Sequence, residues 1–429
     1  MVGILKNSKQ IKVYFAFLLF LFFPLRESFA FSPANQTFIR FGDLLISASI
    51  IIYLLCPKQL KSKAPVSNAL LIFMLYALVF GVFFASIFEM NYAIKFLLKG
   101  FGTVFFLRIL EKVNIKVSPL FFDKLFFYTI CITVVLCALQ LLGYTIEGLK
   151  FLPYTATLYG LPRLNGTASE PGFLVPLITP CYAYYLYKYK EYPFLLAISV
   201  IILLFTNSSF GYVAIAFVLV AMFFQMKGKA KLKYAFKGIP IFCIALLGSL
   251  FLFPKLTNTI EMSAKKILAF GSSSTADMDW SAAERFENRL AGFRGYYELP
   301  LENKIMGGGL GTAQHFSEKY VVAHFTSEEC GIAYLGVLLN LGIVGIVLLI
   351  FLFYRIRKYY DNNVVSKALF LSIVIQAVQF FIIAGMWIYL FWFEIGLLIL
   401  AYKNRANLTG EQTLKLHYKG AQLLENNDD

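Results

Sequence analysis

The chain has 429 residues, of which 59% are hydrophobic and only 15% charged, and it carries a formal net charge of +15. Soluble domains do not contain repeated apolar runs of about 17 residues or more, so this composition specifies a polytopic membrane protein and excludes a water-soluble enzyme. The excess of Lys and Arg is spread over short turns between apolar runs instead of forming one patch, which excludes a nucleic-acid surface.

Apolar runs between charged breaks predict about 12 transmembrane helices, near residues 12–30, 39–56, 68–88, 92–110, 123–143, 171–187, 193–206, 209–226, 238–254, 330–353, 366–384 and 386–402. The expected fold class is therefore an all-α polytopic membrane protein. It divides into helices one to nine over 1–254, a large polar loop over 255–329, helices ten to twelve over 330–402 and a tail over 403–429. With the N-terminus inside, about 25 of the 39 Lys and Arg fall in cytoplasmic segments, the positive-inside pattern. That orientation puts both termini in the cytoplasm and the large loop outside it, so any chemistry there must use lipid-borne or extracellular substrates. The first run, with three lysines ahead of Val13–Phe23 and small residues Ser28 and Ala30 after it, also fits a cleavable signal peptide. The topology downstream is the same in either case. Cys56, Cys131, Cys137, Cys181 and Cys243 lie in or beside apolar runs with no C-x-x-C spacing, so they read as small buried hydrophobes.

Lys95 and Lys99 lie four residues apart in the fourth predicted span and share a helix face. A lysine inside the bilayer costs about 2.5–3.5 kcal/mol on insertion scales and by default faces a bundle interior or an aqueous cavity. Lys95 can snorkel to the outer surface, but Lys99 is too deep for that.

The segment RLNGTASEP, residues 163–171, precedes the sixth span. Ser169 as helix cap, Glu170 at the positive helix end and Pro171 in the first turn make a complete structural explanation. Arg163 and Glu170 also set a cation and a carboxylate beside a helix terminus at the membrane surface, a place suited to an anionic head group.

Within the large loop, Phe286, Leu290, Phe293 and Tyr297 recur at helical spacing. They predict an amphipathic helix lying on the membrane or on the span bundle. Arg289 and Arg294 flank that apolar face. They could snorkel to lipid phosphates, or they could clamp a diphosphate bidentately. Pro300 ends the helix, and the glycines at 307–309 and 311 predict a flexible turn that lacks the G-K-S/T of a nucleotide loop. Beyond it, His324 and Glu328 supply potential general bases at the membrane boundary, with no spacing that suggests a metal site.

The stretches RLNGTASEPGFL (163–174), LAGFRGYYELPLENKIMGGGLG (290–311) and HFTSEECGIAYLGVLLNLGIVG (324–345) together resemble the bacterial O-antigen polymerase and O-antigen ligase superfamily. That superfamily shows an R-x-x-G…E-P element before a mid-chain span, an arginine-bearing helix leading to a P-x-x-x-x-G-x-G turn in a large periplasmic loop, and a G-I-x-G span. Its ligases usually carry His-Asn beside that last span. Here Phe325 follows His324, which favours polymerase over ligase.

The resemblance implies an inverting, metal-independent and cofactor-independent glycosyl transfer at the outer face of the inner (cytoplasmic) membrane. The donor would be a growing glycan on undecaprenyl diphosphate, the acceptor another lipid-linked repeat unit. Expected partners are that lipid-linked oligosaccharide, membrane lipid, a chain-length regulator and a flippase, with no nucleic acid. Arg163, Arg289, Arg294 and Lys99 would bind the diphosphate, while Glu170, His324 or Glu328 would take the acceptor proton. Four other readings stay open: a ligase transferring glycan to lipid A-core, a polysaccharide or lipid transporter or flippase, a membrane O-acyltransferase, and a purely structural or scaffold protein, which would leave Lys99 without an explanation. The transporter reading lacks the internal repeat common in proteins of that size. The acyltransferase reading lacks a histidine before residue 315.

Overall fold

The computed structural model describes residues 8–25, 29–31, 39–55, 63–83, 90–118, 120–146, 157–158, 161–168, 171–206, 208–225, 228, 280–320, 332–381 and 389–408. In chain order the helices are α1 (Ser8–Phe22), α2 (Phe41–Leu55), α3 (Pro65–Leu78, continued as a π-turn over Val79–Phe83), α4 (Met90–Lys112), α5 (Leu120–Thr145), α6 (Pro171–Tyr187), α7 (Pro193–Phe205) and α8 (Ser209–Gln225). They continue with α9 (Trp280–Glu298), α10 (Leu301–Met306), α11 (Thr312–Tyr320), α12 (Ala333–Ile356), α13 (Val364–Gln379) and α14 (Tyr389–Lys403). Each predicted span falls on one of these helices except 238–254, which lies outside the described residues. Pro65–Val82, Leu120–Gly143 and Ala333–Tyr359 are each long and apolar enough to cross a membrane. The fold is that of a helical membrane protein.

Three sequence expectations need correction. The first span does not run to residue 30: α1 stops at Phe22, because Pro24 lacks the amide a helix needs and disfavours helical backbone in the residue before it. Phe29–Phe31 then pairs antiparallel with Ile39–Arg40, and Thr157–Leu158 with Leu161–Pro162, two short pairings that leave the all-helical class unchanged. The tenth span is broken at Gly342, where φ is 66° and ψ −167°. The glycines at 307–311 are not a flexible turn, because they fill that break.

At one end of the bundle a buried carboxylate ties three elements together. Glu111, near the end of α4, accepts from Val66 N at 2.8 Å, from Ser67 N at 2.9 Å and from the Ser67 and Tyr359 hydroxyls. It thereby caps the amides at the start of α3 and holds the turn after α12. Lys403 Nζ donates to the carbonyls of Leu110, Glu111 and Val113 at 2.6–2.9 Å, a cation at the negative end of α4. Asn404 holds the 113–118 connection, accepting from Val117 N and donating to Ile115 O. At the same end Asp123 of α5 accepts from Tyr184 and from Lys188, the latter at 3.1 Å.

Between the ends the helices pack through apolar side chains and close glycine crossings. A Cβ on Gly102 would stand 2.3 Å from Ile46 Cγ2, so α4 and α2 cross there, and Gly396 lets α14 lie on Phe106 and Leu110 of α4. Pro176 inside α6 removes the amide that would bond Gly172 O. Gln379 Nε2 of α13 donates to that carbonyl at 3.2 Å, so a neighbouring helix satisfies the group the proline orphans.

Candidate functional site

The segment from Arg163 to Ala168 is fastened into the opposite end of the bundle. Gln140 of α5, which is buried, accepts from the amides of Asn165 at 3.3 Å and Gly166 at 3.1 Å and donates back to the Asn165 side chain. Leu164 N donates to Phe205 O at the end of α7. Gly166 has φ +53°, and a Cβ there would meet Thr133, Leu174 and Cys137 at 3.0–3.4 Å. This gives a physical reason for the glycine three residues after Arg163. Arg163 is half-buried, with its Nε atom inside.

A series of backbone contacts continues across that end. Gln379 reaches Gly172 in the first turn of α6, and Ala333 N at the start of α12 donates to Phe380 O at 3.0 Å. Farther along α12, the carbonyls of Leu339 and Asn340 precede the break at Gly342. They accept from Gly308 at 2.9 Å and Gly309 at 3.1 Å. Leu310 N donates to Gly81 O in the π-turn at 2.8 Å, Ala313 N to the Asn340 side chain at 2.9 Å, and Tyr76 OH to Met306 O at 2.7 Å. The glycine turn is thus held by two helices, with the amides of Gly308, Gly309 and Leu310 each bonded to a carbonyl, as buried non-helical backbone in a membrane protein favours.

The helix predicted over 281–297 is α9, and Pro300 follows its end. The side that packs on the protein carries Ala291, Gly295 and Leu299, with Phe316 of α11 seated on Gly295. The predicted aromatic side faces outward: Phe293 is 51% and Tyr297 80% exposed. Arg289 is half-buried with its Nε inside, while Arg294 is exposed. They project from opposite borders of the aromatic strip.

The structure therefore sets Arg163, Arg289 and Arg294 at the same end of the bundle. Lys99 lies elsewhere. It is half-buried in α4, about 18 Å from Glu111 at 1.5 Å per residue, while Lys95 is exposed. Glu170, His324 and Glu328 lie outside the described residues. His315, which is described, packs edge-on against Phe316 in α11. Among the described residues no group of three His, Cys, Asp or Glu could hold a metal ion.

Sequence reasoning passed over Gln140, Asn340, Gln379 and Glu394. Each is a polar side chain at most 2% exposed inside an apolar run, and Glu394 is fully buried in α14. The signal was present: a polar or ionisable residue in a span is expected to have a partner or a task. Comparison of the chain with family models, with curated proteins and with solved structures gave no match.

Proposed function

We propose that the protein polymerises undecaprenyl-diphosphate-linked oligosaccharide repeat units into a surface polysaccharide at the outer face of the cytoplasmic membrane. In this reading about twelve spans place both termini in the cytoplasm and the loop over 255–329 outside. The observation that supports the proposal is that the loop carrying Arg163 and the helix carrying Arg289 and Arg294 both attach toward the same end of the bundle, although more than a hundred residues separate them. Three guanidinium groups beside a membrane boundary match a lipid diphosphate, whose oxygens they can bind bidentately.

The acceptor hydroxyl attacks the anomeric carbon of the donor glycan. The new C–O bond forms as the bond to the diphosphate breaks, and the lipid diphosphate leaves with the electron pair. Fixed cations stabilise the charge that develops on it. The acceptor proton passes to a base, for which Glu170, His324 and Glu328 are the candidates. The clamped loop around Gly166 and the docked glycine turn support the reading, since catalytic cations held on rigid backbone need no reorganisation during the reaction.

Deleting the gene and resolving surface polysaccharide on a gel tests the proposal. Collapse of a polymer ladder to single-repeat caps is the expected result. Unchanged polysaccharide would reject the proposal, and accumulation of free lipid-linked polymer would turn it into the ligase reading.

A further inference from the structure

From the exposed side of α9 and α10 and its height along the bundle, we infer that this segment is a membrane-surface element. Its apolar strip is embedded at the hydrocarbon–headgroup boundary of the bilayer, and Lys304 sits among lipid phosphates. Phe293 and Tyr297, 51% and 80% exposed, lie four residues apart on α9, and Leu301 and Ile305, 72% and 43% exposed, four apart on α10 beyond the extended Pro300. An apolar strip of this size facing water would be costly, and lipid is the occupant the surroundings specify.

Height is the first argument. Val66 and Tyr359 both bond Glu111 and so mark one level of the bundle. At 1.5 Å per residue, Gly81 is about 22 Å from Val66 along α3, and Gly342, at the break, about 25 Å from Tyr359 along α12. Gly81 and the residues just before Gly342 receive the glycine turn that follows α10. Hydrocarbon is about 30 Å thick, so the turn, and α10 attached to it, lie at the opposite boundary. Gln140 reaches the same height, about 25 Å along α5 from Asp123.

Continuity is the second. A Cβ on Gly342 would stand 2.2 Å from Ile305 O, so the end of α10 lies directly against α12 where Ile343 follows. Ile343, Val347 and Ile350 are 46%, 57% and 61% exposed and share one face of α12. The end of α10 therefore abuts α12 immediately before the exposed apolar face of α12 begins.

Charge is the third. Arg294 borders the strip, and Lys304 Nζ lies 3.1 Å from Tyr297 O and 5.8 Å from the Tyr296 ring centre. Cations and tyrosines at one depth are the side chains that favour the headgroup zone. The Glu298–Lys319 ion pair, at 2.8 Å, instead joins α9 to α11, on the side away from lipid.

Tryptophan quenching in the full-length protein tests this. Leu301→Trp, Tyr297→Trp and, at an exposed position of α11, Glu318→Trp are each reconstituted in vesicles of anionic phospholipid with acyl chains brominated near the head group. The 3 native tryptophans give a constant background. The fluorescence added by Leu301→Trp and Tyr297→Trp is expected to fall by more than half relative to unbrominated lipid, and that from Glu318→Trp to stay unchanged. If both strip positions are quenched no more than Glu318→Trp, the inference is overturned. Tyr297→Trp exchanges one exposed aromatic for another and decides the matter should Leu301→Trp not fold. No glycan is measured, so the outcome is independent of the polymerase proposal.

Discussion

Gly342 and Gly307 meet backbone to backbone: a Cβ on Gly342 would stand 2.5 Å from the Gly307 nitrogen and 2.2 Å from Ile305 O. Gly342 also has φ +66°, a backbone region that costs an L side chain free energy wherever it occurs. Gly342→Ala is therefore expected to destabilise the protein by about 3 kcal/mol through combined strain and overpacking. Gly336 in the same helix has nothing within 4 Å of its added Cβ, so Gly336→Ala should be neutral or slightly stabilising. Melting the two detergent-solubilised variants side by side checks the contrast, and equal melting temperatures would refute it.

Glu111 accepts from two amides and two hydroxyls inside the bundle. Glutamine would keep one acceptor oxygen and turn the other into a donor facing Val66 N or Ser67 N. Glu111→Gln should cost about 2–3 kcal/mol, and Tyr359→Phe about 1 kcal/mol because it removes a single donor. Thermal unfolding of both variants reads the difference.

The bond from Gln379 to Gly172 O exists because Pro176 takes away that carbonyl's own helical partner. Gln379→Leu should then cost about 1 kcal/mol in the wild-type background. With Pro176→Ala, which restores an amide to α6, the cost should vanish. A double-mutant cycle measures the coupling, and additive effects would show that the two residues act separately.

For the proposed activity, Arg289→Lys and Arg294→Lys keep the charge but lose the bidentate fork. Both should largely abolish polymer while protein level stays normal. Gln140→Ala should do the same indirectly, by releasing the loop that carries Arg163. Full polymer in both lysine variants would return those arginines to lipid-phosphate contacts alone.

Reporter fusions at Ser273 and Gly160 should read extracytoplasmic, and fusions at Lys231 and Asn404 cytoplasmic. A cytoplasmic signal at Ser273 would overturn the mechanism, because the lipid-linked substrate would be on the wrong side. In the same strain background Glu170→Gln should stop polymerisation, whereas Ser169→Ala should cost only about 1 kcal/mol of helix-cap stability.

The helices were legible because long apolar runs leave little choice of structure in a bilayer, and Pro171 and Pro193 marked helix starts to the residue. The glycine turn was read as flexible because the chain alone does not show what it docks against. Its order comes from Gly81 and Asn340, which lie far from it in sequence. The face of α9 that packs inward was also hidden. Large apolar residues suggested one side, but Gly295 allows the closer approach and so takes Phe316. Arg163 was visible as a charge, and the residue that fixes its loop, Gln140, was lost in an apolar run as one polar side chain among many methyl groups.

The lysine that ends α14 completes a helix made much earlier. Lys403 bonds carbonyls 290 to 293 positions before it, and Asn404 holds the adjoining connection. During synthesis α4 emerges some 290 residues before Lys403, so this end of α4 cannot take its final form until α14 has been made. Maturation of this end is thus a late event in biogenesis. A nascent chain stopped short of residue 403 presents an unfinished helix terminus beside the buried Glu111 carboxylate, and its packing at this end stays incomplete.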